Sequence, residues 1–183
     1  MKIIRTFALV EDSLYSVMYG NEVQHEFDRL FDTWNDAEYL EEFFVEQRED
    51  LERPFWDHIS VEQAVLKTKR DARILENKII QIAETGKTDR NQTLSCLFKP
   101  LHNEPDCLDP FEKSKVYGLI RPSWLRIYAV RLDTNLFLIS GGAIKLTKKM
   151  DKPHLQKELK KLETTRIFCK VNFDVALGYF ETE

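Results

Sequence analysis

The segment from residue 125 to 140 constrains the fold most, because it predicts two strands joined by a tight loop. "LRIYAVRL" places Leu125, Ile127 and Ala129 on one side and polar or aromatic residues on the other, which is the period of a strand with one buried face. "NLFLIS" follows after a loop of three residues, 133–135. With "KVYGLI" ahead of them, these segments predict a three-stranded antiparallel meander.

The N-terminal half predicts a β-hairpin followed by three helices. Two β-branched and aromatic runs, "KIIRTFALV" and "SLYSVMYG", are separated by a polar turn. From Glu22 onwards, apolar residues recur at steps of three and four, which is typical of a helical face. Ser60 and Gln63 form a capping box that begins the third helix, and we expect this helix to end near Thr85 with Gly86 as its cap.

The remaining segments complete an α+β pattern. "LSCLF" predicts a further strand, and Lys152-Pro153 begins a last helix with leucines on one face. The order is two strands, three helices, four strands and one helix. Segregated elements of this kind favour a mainly antiparallel sheet with helices packed on one face. The length of 183 residues is enough for one domain and marginal for two, and a split at 86–93 is the alternative. We expect a single domain over residues 1–183, because the N-terminal hairpin and helices would otherwise have no sheet to cover.

The charge is divided unequally along the chain. Residues 1–92 contain 12 Lys and Arg against 20 Asp and Glu, a net charge of −8, whereas residues 93–183 carry a net charge of +4. Within residues 110–170 the net charge is +9. This basic part indicates an anionic partner, and the alternative is that the two halves attract each other.

Composition argues against several classes of protein. No apolar run approaches the roughly 20 residues of a membrane span, and the N-terminus predicts a strand rather than a signal peptide. The odd number of cysteines favours a reducing compartment, and we expect the protein to be cytoplasmic. The histidines are too scattered for a metal site, and no cofactor is expected. The cysteines are Cys96, Cys107 and Cys169.

A cationic constellation surrounds the predicted hairpin. The three-residue loop would set Tyr128 beside Ser140 and Arg126 beside Gly142, with the Gly141-Gly142 pair leaving open space next to Arg126. These positions predict a shallow, glycine-floored patch with a tyrosine on it. The cations expected to meet there are Arg121, Arg126 and Lys145.

The C-terminal half resembles a known family. From "KVYGLI" through "LRIYAVRLDTNLFLISGGAIKLTKKM" to "HLQKELKKLE", it is similar to the C-terminal half of the RelE/ParE/HigB superfamily, the toxins of bacterial toxin–antitoxin pairs. The resemblance covers about a third of the chain. An acidic N-terminal part and a loop at 100–113 depart from the family, and no aromatic residue follows the glycines. The matching pieces are Leu125-Arg126, "FLIS", Gly142, Lys145, Lys148 and Lys149.

This resemblance implies a RelE-like core, an antitoxin partner, and metal-independent cleavage of messenger RNA, often on the ribosome. Attack by a ribose 2′-hydroxyl needs a base, an acid and cations near the phosphate. We expect Arg126 to clamp the phosphate and Lys145 to stabilise charge or act as the base. Tyr128 would stack on a base or donate a proton. The expected backbone-binding cations are Arg121, Lys148, Lys149 and Lys157.

Two other functions fit the same residues. One is a non-catalytic module of a mobile genetic element that binds nucleic acid or protein. The other is a small interaction protein with no role in binding nucleic acid. In either case Arg126 would serve as a cross-strand ion-pair partner and Tyr128 as sheet packing. The lysines of the last helix would then form an exposed, solubilising face. They are Lys157, Lys160 and Lys161.

Overall fold

The structure is a computed structural model that describes residues 1–20, 22–101 and 111–172. Its strands are β1 (Ile3–Val10), β2 (Leu14–Tyr19), β3 (Lys99–Pro100), β4 (Glu112–Tyr117), β5 (Leu125–Asp133) and β6 (Leu136–Ile144). Its helices are α1 (Glu26–Asn35), α2 (Ala37–Glu46), α3 (Arg48–Leu51), α4 (Val61–Thr85), α5 (Leu94–Leu97) and α6 (Pro153–Val171), with a 3₁₀ turn at Pro54–Trp56. The predicted α+β class is confirmed.

The strands form one mixed sheet in the order β1-β2-β6-β5-β4-β3. Neighbouring strands are antiparallel except β2 and β6, which are parallel. The prediction of a mainly antiparallel sheet is therefore confirmed. The parallel pair joins the first hairpin to the last strand of the described chain.

Helices cover both faces of the sheet, so the prediction that they pack on one face was wrong. On the first face, α1, α2 and α4 enclose a core that contains Leu75, Ile127 and Ile139. On the second face, α6 buries Leu155 and Leu162 against residues that include Val130 and Leu138. The physical reason is that β5 is apolar on both sides between residues 127 and 130, so each side needs its own cover.

Local sequence signals set several boundaries. The Ser60 hydroxyl accepts a hydrogen bond from the Gln63 N–H at 3.2 Å, and the Gln63 side chain accepts from the Ser60 N–H at 3.0 Å. This capping box begins α4 as predicted, and Gly86 caps its end. Pro153 lies in the first turn of α6, also as predicted.

Among the described residues, no helix is both long and apolar enough to cross a bilayer.

The segment "LSCLF" was predicted to be a strand and is mostly helical. Leu94–Leu97 forms α5, and the N–H of Ser95 bonds to the carbonyl of Thr134 in the β5–β6 turn. An apolar run of this length does not distinguish a strand from a helical turn by its period. The Pro- and acid-rich loop predicted after it falls mainly on residues 102–110, outside the described residues.

Candidate functional site

A pocket of about 970 Å³ opens where the 3₁₀ turn, the β4–β5 connection and the segment after β6 meet. Its walls are strongly basic. Among the described lining residues, Asp151 is the only carboxylate. The cations that line the pocket are Arg53, Arg121, Arg126, Lys145, Lys148, Lys149 and Lys152. We call this feature the cationic pocket.

Two of the seven cations are neutralised by one buried carboxylate. Asp50, which is 3% exposed, lies 2.6 Å from Arg53 Nη2 through one oxygen and 2.6 Å from Lys152 Nζ through the other. Within the described ranges, no carboxylate lies at salt-bridge distance from the other five cations. Five positive charges therefore face the same space without a paired anion, and an anionic ligand is attracted to such a site.

Arg126 is held at the base of the pocket by backbone and ring contacts. It lies on β5, paired with Tyr117 of β4 and Ala143 of β6. Its Nη1 donates to the carbonyls of Ser123 at 2.8 Å and Leu125 at 2.7 Å. Burial lowers the pKa of Arg126 to about 10. The guanidinium is therefore still charged at neutral pH, and its position is fixed before any ligand arrives.

Tyr117 orders two guanidinium groups at once. Its ring centroid lies 4.1 Å from the guanidinium carbon of Arg126 and 4.5 Å from that of Arg121. A cation–π contact holds an arginine without neutralising its charge. The sequence reasoning missed Tyr117. The available signal was the alternation of Lys113, Lys115 and Tyr117, which places all three on one side of β4.

Lys145 follows β6 directly, and its amine is fixed by the turn that comes after it. Nζ donates to the carbonyls of Thr147 and Lys148, both at 2.7 Å. Burial lowers the pKa of Lys145, and the nearby charges of Arg126 and Lys115 lower it further. Carbonyl oxygens satisfy part of the ammonium group without cancelling its charge, so Lys145 presents positive charge to the pocket.

Tyr128 does not line the cationic pocket. Its side chain is 1% exposed and packs in the core beneath α6, where its hydroxyl donates to the Sδ atom of Met150 at 3.8 Å. Burial raises the pKa of Tyr128 above its ordinary value. Tyr128 lies on the same side of β5 as Arg126 but one step further along, where α6 covers the sheet. In this position its ring meets no ligand in the pocket.

The glycine pair does not form the floor of the pocket, contrary to the prediction. Tyr128 pairs with Gly141 and Arg126 with Ala143, one residue away from the predicted register, because β6 carries a bulge at Ser140. A Cβ atom on Gly141 would collide with the carboxylate of Glu158. The space above Gly141 is therefore occupied by an acidic side chain of α6, and the space beside Gly142 by the Arg126 carbonyl and Leu30.

Glu158 belongs to a buried ion cluster between α1, α6 and β6. Its Oε2 accepts from the Gly142 N–H at 2.9 Å, and its Oε1 lies 3.1 Å from Lys161 Nζ. The same amine lies 2.8 Å from Glu26, which also pairs with Arg29 at 2.7 Å. Lys161 was expected on an exposed basic face, but it is 1% exposed. We call these four residues, Glu26, Arg29, Glu158 and Lys161, the buried ion cluster.

Lys157 lies apart from the other predicted cations. It lines a smaller cavity of about 140 Å³ with Arg29, Tyr39 and His154. A ring nitrogen of His154 lies 3.1 Å from the carbonyl oxygen of Ile144. Burial lowers the pKa of His154, which favours its neutral form at pH 7. The structure thus brings together Arg121, Arg126, Lys145, Lys148 and Lys149 and leaves Lys157 and Tyr128 outside.

Three lining residues from the N-terminal half were not foreseen. Arg53, Phe55 and Trp56 reach the pocket from the 3₁₀ turn and the residue before it, about 70 residues before the predicted site. No periodicity links such distant segments, so their contribution depends on tertiary packing.

In the described part of the chain, no group of three or more His, Cys, Asp or Glu residues is placed to hold a metal ion.

Comparison with protein-family models, with curated proteins and with solved structures finds no match to this chain. The comparisons therefore neither support nor oppose the resemblance to the RelE/ParE/HigB superfamily. The function has to be argued from the charges and contacts of the cationic pocket.

Proposed function

We propose that the cationic pocket binds the phosphate backbone of RNA, and that the protein is a non-catalytic nucleic-acid-binding module. The observation that carries this proposal is the group of five cations that have no carboxylate partner among the described residues, in a protein whose formal charge is −4. The planar guanidiniums of Arg121 and Arg126 suit the oxygens of a phosphate. Lys148 and Lys149 add charges that follow a backbone.

The size and spread of the pocket favour a polymer over a single small anion. Its volume of about 970 Å³ greatly exceeds that of one phosphate group. The cations come from two separate segments, 121–126 and 145–149, so they offer contacts to more than one phosphate. A chain of phosphates uses all of these charges, whereas an isolated anion uses two or three of them.

A binding measurement with matched lysine variants tests this proposal. The wild type should bind a fluorescently labelled single-stranded RNA at low salt, and the double variant Lys148→Ala/Lys149→Ala should bind it several-fold more weakly. Lys170→Ala is the control, because this exposed lysine lies in the last turn of α6, about 25 Å along the helix from Pro153.

The control variant should bind RNA like the wild type. Absence of binding by the wild type at low salt would overturn the proposal. So would a double variant that binds as tightly as the control. Circular dichroism of all three proteins establishes that any loss of binding does not come from unfolding.

The second candidate function is a RelE-like, metal-independent endoribonuclease that acts as the toxin of a toxin–antitoxin pair. The lowered pKa of Lys145 beside Arg126 favours it, because a less basic amine has a larger neutral fraction to accept the proton of a 2′-hydroxyl. Arg126 would then stabilise the charge that develops on the phosphate. In this scheme an antitoxin would cover the pocket and restrain the activity.

Cleavage assays separate this candidate from pure binding. Messenger RNA is incubated with the protein in the presence of a chelator, with and without ribosomes. An enzyme should lose about a hundredfold in rate with Lys145→Ala or Arg126→Ala and should arrest growth when expressed without its partner. Tyr128→Phe should leave the rate unchanged. If the wild type leaves RNA intact and cells grow normally, only the binding module stands.

A further inference from the structure

Phe55 is an exposed aromatic side chain in a pocket of positive charges. It lines the cationic pocket, and 64% of its surface is open to solvent. The other aromatic side chain in the pocket lining, Trp56, is only 6% exposed. The exposed face of Phe55 therefore adjoins five cations that are unpaired within the part of the chain that the structure describes. Alternation of aromatic and cationic side chains is typical of surfaces that bind single-stranded nucleic acid.

The segment that carries Phe55 is anchored on both sides. Before it, Arg53 pairs with the buried Asp50 at 2.6 Å. After it, Trp56 donates from Nε1 to the carbonyl of Leu146 at 3.0 Å. The rings of Phe55 and Trp56 meet edge to face, with centroids 4.6 Å apart. Since this segment is already ordered, a ligand that stacks on Phe55 does not have to order it first.

We propose that Phe55 is a stacking platform for an unpaired base, so that the cationic pocket takes single-stranded RNA in preference to a duplex. This inference rests on the proposed function. A base stacks on an aromatic side chain only when it has left its own stack, which is ordinary in a single strand and costly in a duplex. Every base has a π-face, so the platform needs no particular sequence.

The charge around Phe55 favours this ligand over a protein partner. At the centre of a protein–protein interface, an aromatic residue usually has few charged neighbours. Here seven cations and a single carboxylate line the same pocket among the described residues. A nucleotide has a base that stacks on the ring and a phosphate that pairs with the cations, whereas an apolar side chain of a protein contacts the ring alone.

Three oligonucleotides of equal length test the stacking role. They are a single-stranded RNA, the same strand with abasic positions, and the matching duplex. The wild type should prefer the base-bearing single strand. Phe55→Ala should weaken binding to that strand about tenfold and leave binding to the abasic strand and the duplex unchanged. Phe55→Trp should retain the wild-type affinity, because it keeps a stacking surface.

The matched control is Leu66→Ala, which removes an exposed apolar side chain outside the pocket. Leu66 is 63% exposed, nearly the same as Phe55. Its removal should leave binding to all three oligonucleotides unchanged. If Phe55→Ala binds the single strand like the wild type, or loses the same factor on all three, the stacking role is wrong. If the wild type binds none of the three, the proposed function fails and the stacking role falls with it.

Discussion

At the residue scale, Lys145 and Lys161 carry the same charge in opposite surroundings. Lys161 is 1% exposed and lies between Glu26 and Glu158. Lys145 is partly exposed, and its amine donates to two backbone carbonyls. A paired buried lysine holds elements of the fold together. A lysine whose amine bonds to carbonyl oxygens keeps its charge available for a ligand. Lys161 therefore has a structural role, and Lys145 is available for binding.

Replacement of Lys161 should reveal the cost of the buried carboxylates. Lys161→Met leaves Glu26 and Glu158 close together with Arg29 as their counter-charge, and breaking a buried ion pair typically costs about 3–5 kcal/mol of stability. The loss should be smaller at pH 5 than at pH 8. Urea denaturation at both pH values measures it, with Lys160→Met as the control, since Lys160 is the exposed neighbour on α6.

The direction of this pH dependence follows from Glu158. Burial already raises the pKa of Glu158 above its ordinary value of 4.5, and removal of the neighbouring lysine raises that pKa further. The folded variant then holds a proton that the unfolded chain releases. The variant's free energy of unfolding therefore falls as the pH rises from the pKa of Glu158 in the unfolded chain to its higher pKa in the folded variant. An equal loss at pH 5 and pH 8 would contradict this explanation.

At the element scale, β6 shows how strand geometry positions the site. The bulge at Ser140 shifts the β5–β6 register by one residue, and the backbone of Gly142 then approaches the carbonyl of Arg126 closely. A Cβ atom on Gly142 would lie 2.6 Å from that oxygen. The neighbour is a backbone atom, which cannot rotate aside as a flexible side chain would.

Substitution of this glycine should therefore affect both stability and binding. Gly142→Ala should lower the free energy of unfolding by roughly 1–3 kcal/mol, because the crowded strands must separate. It should also weaken RNA binding, since the displaced carbonyl belongs to Arg126. Gly20→Ala is the control, because its Cβ would lie 3.3 Å from the Ile4 side chain and 3.8 Å from the Lys2 carbonyl oxygen, so no backbone atom comes closer than ordinary van der Waals contact. Equal stability of the two variants, measured by thermal unfolding, would contradict the close approach.

Periodicity and capping predicted most elements, whereas contacts between residues far apart in the chain could not be predicted from the sequence. Ser60 and Gln63 determine the start of α4 through neighbouring residues alone, so a local pattern was sufficient. The burial of Lys161 depends on Glu26, which is 135 residues away. A lysine on a helix ordinarily favours an exposed position, and no local signal marks an exception. The bulge at Ser140 escaped prediction for a related reason, because register depends on loop geometry.

At the scale of the whole molecule, the two charge halves of the sequence meet in one pocket. The net charge of +9 within residues 110–170 predicted a basic surface, and the structure gathers six cations of this segment into the cationic pocket. The acidic half contributes as well, through Arg53, Phe55 and the buried Asp50 that neutralises two of the seven cations. The two halves, which are segregated by charge along the chain, are therefore brought into contact by the fold.

The salt dependence of RNA binding tests the central claim most directly, namely that this pocket binds a phosphate backbone. The logarithm of the association constant is plotted against the logarithm of the salt concentration for the wild type and for Lys148→Ala/Lys149→Ala. We expect a steep line for the wild type and a line shallower by roughly 0.7 for each lysine removed, because each phosphate contact releases counterions from a single strand. Parallel lines for the two proteins, or wild-type binding that does not change with salt, would contradict the account.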